Sequence, residues 1–501
     1  MTQSKASPSV SFPPVIPVWF WVALLGLWGI ALGLRFWGLE RFNTLVFDEI
    51  YFAKFGQNYL THTPFFDAHP PLGKYLIALG IWLKGYNPWG YRWMNALFGS
   101  SIPLLIVGIG YQLTHRCRFA LLAGALAVLD GLLLVESRYG LINIYVLTFG
   151  LLGQWFVLLS SAQRRGWTHW LWLTCAGLSF GAAAATKWNS LGFLLGLYLC
   201  WGIFRLSNLS LSNFRLSQWG KSRQAEERPL NDLERNPGQS LERLSIFKLF
   251  FFIPLVGALL YRLAWIPHLL QNPEFDFVQV HPQMFGYHQR VGSGADIHPY
   301  CSNWMSWPLL LRPVSYFYQR ATSLAEPMPM MGPPLPAEKA QYVYSVYATG
   351  NPPLWWGTTI AIALVLGLCL LQVFGQTVGQ AGQRMSRRSP RGESSALSLY
   401  LQDQPLLIYV ATSYIANLLP WLSISRCAFL YHYMPAYLFA SMALAWLIDS
   451  WLSSQFLSFK ILAVVLVLAS IAGFVFWLPL FLGLPISPEA WQLRIWLPSW
   501  V

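Results

Sequence analysis

Long apolar runs separated by short polar stretches restrict this chain more than any other feature. A helix that crosses a bilayer needs roughly 20 mostly apolar residues. Such runs occur at 16–38, 93–113, 119–136, 141–160, 168–186, 188–205, 247–266, 354–375, 405–422, 427–448 and 460–484. The expectation is an all-α polytopic membrane protein with about eleven transmembrane helices, because a segment in lipid must satisfy its own backbone hydrogen bonds. The run 72–83 has 12 residues, too few to span, and reads as an interfacial or partly buried helix. Charge agrees with this class. Only 11% of the residues are Asp, Glu, Lys or Arg, against about 25% in soluble domains. A net charge of +13 then belongs to cytoplasmic loops and lipid headgroups, not to a nucleic-acid footprint.

Basic residues set the orientation. Arg116 and Arg118, Arg164 and Arg165, the 206–246 segment with Arg215, Lys221, Arg223, Arg228, Arg235 and Arg243, and the 376–404 segment with Arg384, Arg387, Arg388 and Arg391 all fall on one side of an eleven-span chain. That side is the cytoplasm. The division is a cytoplasmic tail (1–15), an N-terminal membrane half (16–205) with an external loop at 39–92, a cytoplasmic linker (206–246), and a C-terminal membrane half (247–501). The last contains an external loop at 267–353 and a cytoplasmic loop at 376–404. The first apolar run lacks a small-residue cleavage signature and reads as an uncleaved span. The six cysteines are scattered, without a CxxC pair, and read as buried thiols rather than a disulfide framework.

Unusual polar chemistry concentrates in the external loops. Asp48 and Glu49 follow the first span; adjacent on a helix, they point about 100° apart and have separate tasks. One faces a substrate and accepts a proton, the other pairs with a cation; a solvated loop with incidental acids is the alternative. Arg35, Arg92 and Arg138 lie near external ends of spans, where positive-inside bias disfavours them. They fit either an anionic lipid phosphate or salt bridges between helices. Lys187 interrupts an apolar stretch and either snorkels or meets a phosphate; Asp130 is a membrane-embedded acid. Trp304 and Trp307 suit an interfacial belt or stacking on a sugar or isoprenoid. The spacing of His281, His288 and His298 is not that of a metal site. Tyr431-His432-Tyr433-Met434-Pro435 lies inside the tenth run, where the proline is expected to kink the helix. No soluble nucleotide-binding motif is visible, so an enzyme of this build takes an activated substrate from the lipid phase.

Six segments in order resemble protein O-mannosyltransferases, the dolichyl- or polyprenyl-phosphate-mannose–protein mannosyltransferases. They are Phe47-Asp48-Glu49, the stretch from Asp67 through His69 to Lys74, Ser137-Arg138, Lys187-Trp188, Asn351-Pro352-Pro353-Leu354-Trp355-Trp356, and Tyr431 to Pro435. The resemblance runs from about residue 30 to the end. It implies a GT-C glycosyltransferase fold and inverting transfer of mannose from a polyprenyl monophosphate to Ser or Thr of secreted or membrane proteins. The acceptors are proteins crossing the plasma (inner) membrane, with the protein translocation machinery as a neighbour and the active site on the external, periplasmic side. It implies Asp48 as catalytic base and Glu49 as partner of Arg92. Arg35, Arg92, Arg138, Lys187, His69, Lys74, Trp304, Trp307 and His432 are the implied substrate-binding positions. The 267–353 loop is too short for the MIR domain of eukaryotic members, so the likeness is to the bacterial form. No cofactor is required, although some relatives of the fold use a divalent cation. Asn143 stands where the family usually has Asp. Two alternatives stay open: transfer of a lipid-linked sugar to a lipid or glycan acceptor, and a lipid-linked sugar transporter.

Overall fold

The computed structural model describes residues 16–163, 166–218, 241, 244–290, 298–326, 328–331, 333–382, 395–424 and 426–501. The tail 1–15, Arg164, Arg165, most of the 206–246 linker and the centre of the 376–404 loop lie outside them, and with them most of the basic residues assigned to the cytoplasm.

The chain runs α1 (Val18–Phe36), α2 (Glu49–Leu60), α3 (Leu72–Lys84), α4 (Pro88–Thr114), α5 (Cys117–Val128), α6 (Gly131–Glu136), α7 (Asn143–Ala162), α8 (Trp167–Ala184) and α9 (Leu191–Gln218). It continues through α10 (Ile253–Gln271), α11 (Phe277–Arg290), β1 (Val314–Ala321), β2 (Tyr342–Ala348), α12 (Pro352–Gly382), α13 (Ser395–Leu418), α14 (Met434–Ser453), α15 (Leu457–Leu482) and α16 (Pro488–Gln492). Among the described residues, nine helices are long and apolar enough to cross a membrane. The chain is therefore a multi-pass membrane protein. Two expected spans do not qualify. The run 119–136 is broken after Val128: Asp130 caps α6 by accepting the Leu133 N–H at 2.7 Å, which ends one helix and starts another. Helix α8 has 18 residues, but His169, Trp, Thr and Ser dilute its apolar character.

Position in the bundle follows from side-chain class. In α14 every residue from Met434 to Asp449 is buried, so this helix forms the centre. In α15, Leu457, Ile461, Val464 and Leu468 are exposed, as a lipid-facing helix requires. Helices α1 and α4 are antiparallel: Phe20 meets Tyr111 at one end (5.7 Å) and Phe36 meets Trp89 at the other (6.0 Å). Helices α7 and α8 share these ends, joined by Ser160–His169 (2.9 Å) at one and by Asn143–Lys187 (3.0 Å) at the other. The Asp48–Glu49 pair follows α1 and so lies at the Phe36 end. Arg116 and Arg118 follow α4 and lie at the opposite end.

Three expectations need correction. The 267–353 segment carries a two-stranded antiparallel sheet, with Val314 opposite Ala348, Ala321 opposite Tyr342 and a bulge between Ser315 and Phe317. Its Tyr- and Val-rich alternation favours a pleated, half-buried surface over helix. The hairpin rests on the segment between α1 and α2 through Phe42–Phe317 (4.3 Å). Second, Cys301 and Cys427 form a disulfide across 126 residues, a separation that no local spacing rule detects. Third, Pro435 does not kink a span. Leu430–Tyr433 form a short 3-10 turn, and α14 starts at Met434 with the proline in its first turn, where a missing N–H costs nothing.

Candidate active site

The two adjacent acids are held in opposite ways. Glu49 is fully buried at the start of α2. Its two oxygens accept Nε and Nη2 of Arg92, each at 2.8 Å. They also accept the backbone N–H of Val46 (2.8 Å) and Gly140 (2.7 Å). Gly140 admits no side chain here: a Cβ would sit 2.7 Å from the Tyr91 carbonyl oxygen. The remaining Arg92 donors go to the carbonyls of Leu39 (2.7 Å), Phe42 (3.0 Å) and Thr44 (2.8 Å). A guanidinium has five N–H donors, and all are taken. Arg92 therefore has none left for a substrate; it braces the 39–44 loop against α2 and α4.

Asp48 is half-buried and, among the described residues, has no cation within 4 Å. Phe47 before it takes a left-handed turn (φ 52°), rare for a side chain of this size. Its ring stacks on Tyr316 of β1 at 4.1 Å, so the hairpin holds the turn. Burial pushes the Asp48 carboxyl up to about 6, with Lys187 acting against the rise and Asp67 adding to it.

Lys187 lies between α8 and the turn before α9, buried at the same end. Its Nζ donates to Asn143 Oδ1 at 3.0 Å and lies 3.5 Å from His432 Nε2 and 5.4 Å from the centre of the Tyr431 ring. Asn143 in turn donates to Glu136 (3.2 Å), which also accepts the Tyr316 hydroxyl. The Asn143 amide accepts from the ammonium and donates to the carboxylate at once; an ionised Asp here would meet Glu136 as a like charge. Burial and the nearby Arg426 guanidinium hold Lys187 down at about 8.

Two further expected residues sit close by. Lys74 pairs with Asp67 and donates to the His69 carbonyl at 2.6 Å, which fixes the loop before α3. The His69 ring lies 5.0 Å from that of His288, whose Nε2 is 2.8 Å from the Ala68 carbonyl. Burial and cationic neighbours keep both imidazoles less basic than usual. Trp307 is roughly parallel to His432 at 6.1 Å. Trp304 packs half-buried on the apolar core and, among the described residues, makes no ring contact with this group.

Arg138 and Arg35 are not brought in. Arg138 donates to the carbonyls of Leu34 (2.7 Å), Arg35 (3.2 Å), Trp37 (2.7 Å) and Gly38 (3.2 Å). It closes the C-terminal end of α1, where carbonyls lack intrahelical partners. Arg35 is fully buried, with Nη1 3.4 Å from the Ala31 carbonyl of its own helix. Sequence reasoning passed over Tyr316 and Arg426. The hairpin alternation was a usable signal for the first; nothing local marks the second. Among the described residues, no three His, Cys, Asp or Glu side chains converge as a metal site would require.

Comparisons with known proteins bear on this geometry. The family described as dolichyl-phosphate-mannose-protein mannosyltransferase matches residues 26–89 and 85–223. The C-terminal four-transmembrane region of protein-O-mannosyltransferase matches 274–500. A polyprenol-phosphate-mannose–protein mannosyltransferase of Mycolicibacterium smegmatis is 24% identical, covering 100% of this chain and 98% of its own length. Its Corynebacterium glutamicum counterpart is 25% identical over 71% of this chain and 75% of its own. Among solved structures, the S. cerevisiae protein O-mannosyltransferase Pmt1-Pmt2 complex bound to the sugar donor superimposes with a TM-score of 0.74 at 15% identity. It covers 97% of this chain and 93% of the yeast chain.

Proposed function

The chain belongs to the dolichyl-phosphate-mannose-protein mannosyltransferase family, and we propose that it transfers mannose, with inversion, from a polyprenyl monophosphate to Ser or Thr hydroxyls of proteins at the external membrane face. It is a glycosyltransferase of the GT-C fold, and the coarser reaction, moving a lipid-phosphate-linked sugar to a Ser/Thr-bearing acceptor, is that of the family.

In this reading the acceptor oxygen attacks mannose C1 as the C1–O bond to phosphate breaks. The hydroxyl proton passes to Asp48, and the bonding electrons leave with the polyprenyl phosphate beside Lys187. One in-line displacement inverts the sugar, so one base suffices. The single observation that carries the base assignment is the contrast within the acid pair. Glu49 is saturated by Arg92 and two backbone amides. Asp48 has no cation within 4 Å among the described residues and a carboxyl held at about 6. A base poised near the working pH accepts a proton better than an ordinary carboxylate. Lys187, with neutral groups as its near neighbours, is suited to the phosphate.

The external, plasma-membrane placement rests on Arg116 and Arg118 lying at the end of the bundle opposite to Asp48. The 267–353 segment brings Tyr316 and His288 over the site, which fits a groove for an extended acceptor emerging from the translocation machinery. The test is incubation of the purified protein with labelled polyprenyl-phosphate mannose and a Ser/Thr-rich peptide. Label on the peptide is expected. Label confined to a lipid or glycan product would instead assign the alternative acceptor.

A further inference from the structure

The buried and half-buried cations of this molecule differ in what surrounds them. Arg92 is saturated, Arg138 binds four carbonyls and Lys74 pairs with Asp67. Among the described residues, Lys187 and Arg426 have no carboxylate within 4 Å. The near neighbours of Lys187 are an amide, an imidazole and a phenol ring. Arg426 donates to the carbonyl of the next residue, Cys427, at 3.0 Å.

The chain just after Arg426 is anchored. Arg426 sits between α13 and α14, next to the Cys301–Cys427 disulfide, and Ala428 accepts the Ser302 N–H at 2.8 Å. The segment then runs through Phe429, 6.3 Å from Phe47, to Tyr431 and His432, which border Lys187. Among charged groups, Arg426 acts most strongly on Lys187, ahead of Glu136, Asp48 and Asp67, which oppose it, and it also lowers the basicity of His288. Two cations that act on each other in a partly dry site are unfavourable, and an anion bound by both relieves this.

We propose that Arg426 is the second cation of a phosphate clamp whose first is Lys187, and that the clamp holds the phosphate of the lipid donor. The proposal rests on the lipid-phosphate reading above and adds a residue that no motif marked. The charge count explains why two cations are needed. The donor is a phosphodiester with one negative charge. The departing polyprenyl phosphate is a monoester that approaches two. Lys187 matches the charge present at the start, and Arg426 matches the charge that develops as the C1–O bond breaks, where stabilisation accelerates the step.

The test measures binding of polyprenyl monophosphate to the full chain in nanodiscs, for wild type, R426Q and R426K, with inorganic phosphate as competitor. Kinetics with donor and peptide run alongside. R426Q is expected to bind the lipid phosphate about tenfold more weakly. It should also lose kcat and keep the peptide KM, while R426K recovers most of both losses and millimolar inorganic phosphate competes poorly. Undiminished lipid-phosphate binding in R426Q would remove Arg426 from the clamp and leave the donor reading intact. Equal rises of donor and peptide KM with a lowered Tm would make Arg426 a structural residue and also overturn the proposal. Inorganic phosphate that competes as well as the lipid would overturn the lipid source. Wild-type protein that binds no polyprenyl phosphate would overturn the donor class itself.

Discussion

The two ends of the helix bundle treat charge differently. At the Arg116 end, cations and acids neutralise one another: Arg116 lies 3.2 Å from Asp403 and 3.4 Å from Asp449, and Arg118 lies 2.5 Å from Asp449. At the Asp48 end two pairs, Glu49–Arg92 and Asp67–Lys74, are closed in the same way. Around them Asp48, Lys187 and Arg426 stay unneutralised at close range among the described residues. Matched charges join helices; unmatched ones, held in place at a cost in desolvation, are available to a substrate. The contrast separates Asp48 from its neighbour Glu49 more sharply than any sequence motif does.

Variants can break that contrast in order of expected effect. Glu49→Ala leaves Arg92 buried without its carboxylate and removes the acceptor of two backbone amides. It should cost about 3–5 kcal/mol of stability, visible as a large fall in Tm in detergent; an unchanged Tm would show that Glu49 is no brace. Asp48→Asn should keep the wild-type Tm and lose about 100-fold in kcat. Lys187→Met should lose about tenfold in kcat/KM for the lipid donor with peptide KM unchanged, and a rise in peptide KM alone would move Lys187 to the acceptor side. Asp449→Asn, at the opposite end, should lower stability by about 1 kcal/mol and leave turnover within about twofold. A loss of turnover without destabilisation would erase the distinction between the two ends.

Much of this was legible before the structure because it depends on periodicity and local order. Nine of the eleven apolar runs hold helices long and apolar enough to cross a membrane among the described residues, since length and hydropathy can be read from sequence. The break at Asp130 was hidden, because a cap inside an apolar run changes hydropathy little. The acid pair was visible as a pair. The saturation of Arg92 was not, because three of its acceptors are backbone carbonyls of the 39–44 loop, which carry no sequence signature. The same holds for Arg138, whose partners are the last carbonyls of α1. Arg426 and the Cys301–Cys427 bond depend on contacts between chain segments more than 100 residues apart. The likeness to a family pointed to Lys187 and His432; their mutual approach is a fact of packing.

The central claim is that a poised Asp48 takes the acceptor proton while a charged Lys187 faces the donor phosphate. Burial raises Asp48 to about 6 and, with Arg426, lowers Lys187 to about 8. Asp48 must be deprotonated and Lys187 protonated, so the pH dependence of kcat/KM, which reports the free enzyme, tests both together. The account predicts a bell with an acid limb near pH 6 and an alkaline limb near pH 8, the acid limb vanishing in D48N and the alkaline limb in K187M. A profile flat across this range, or an acid limb that survives in D48N, would contradict it.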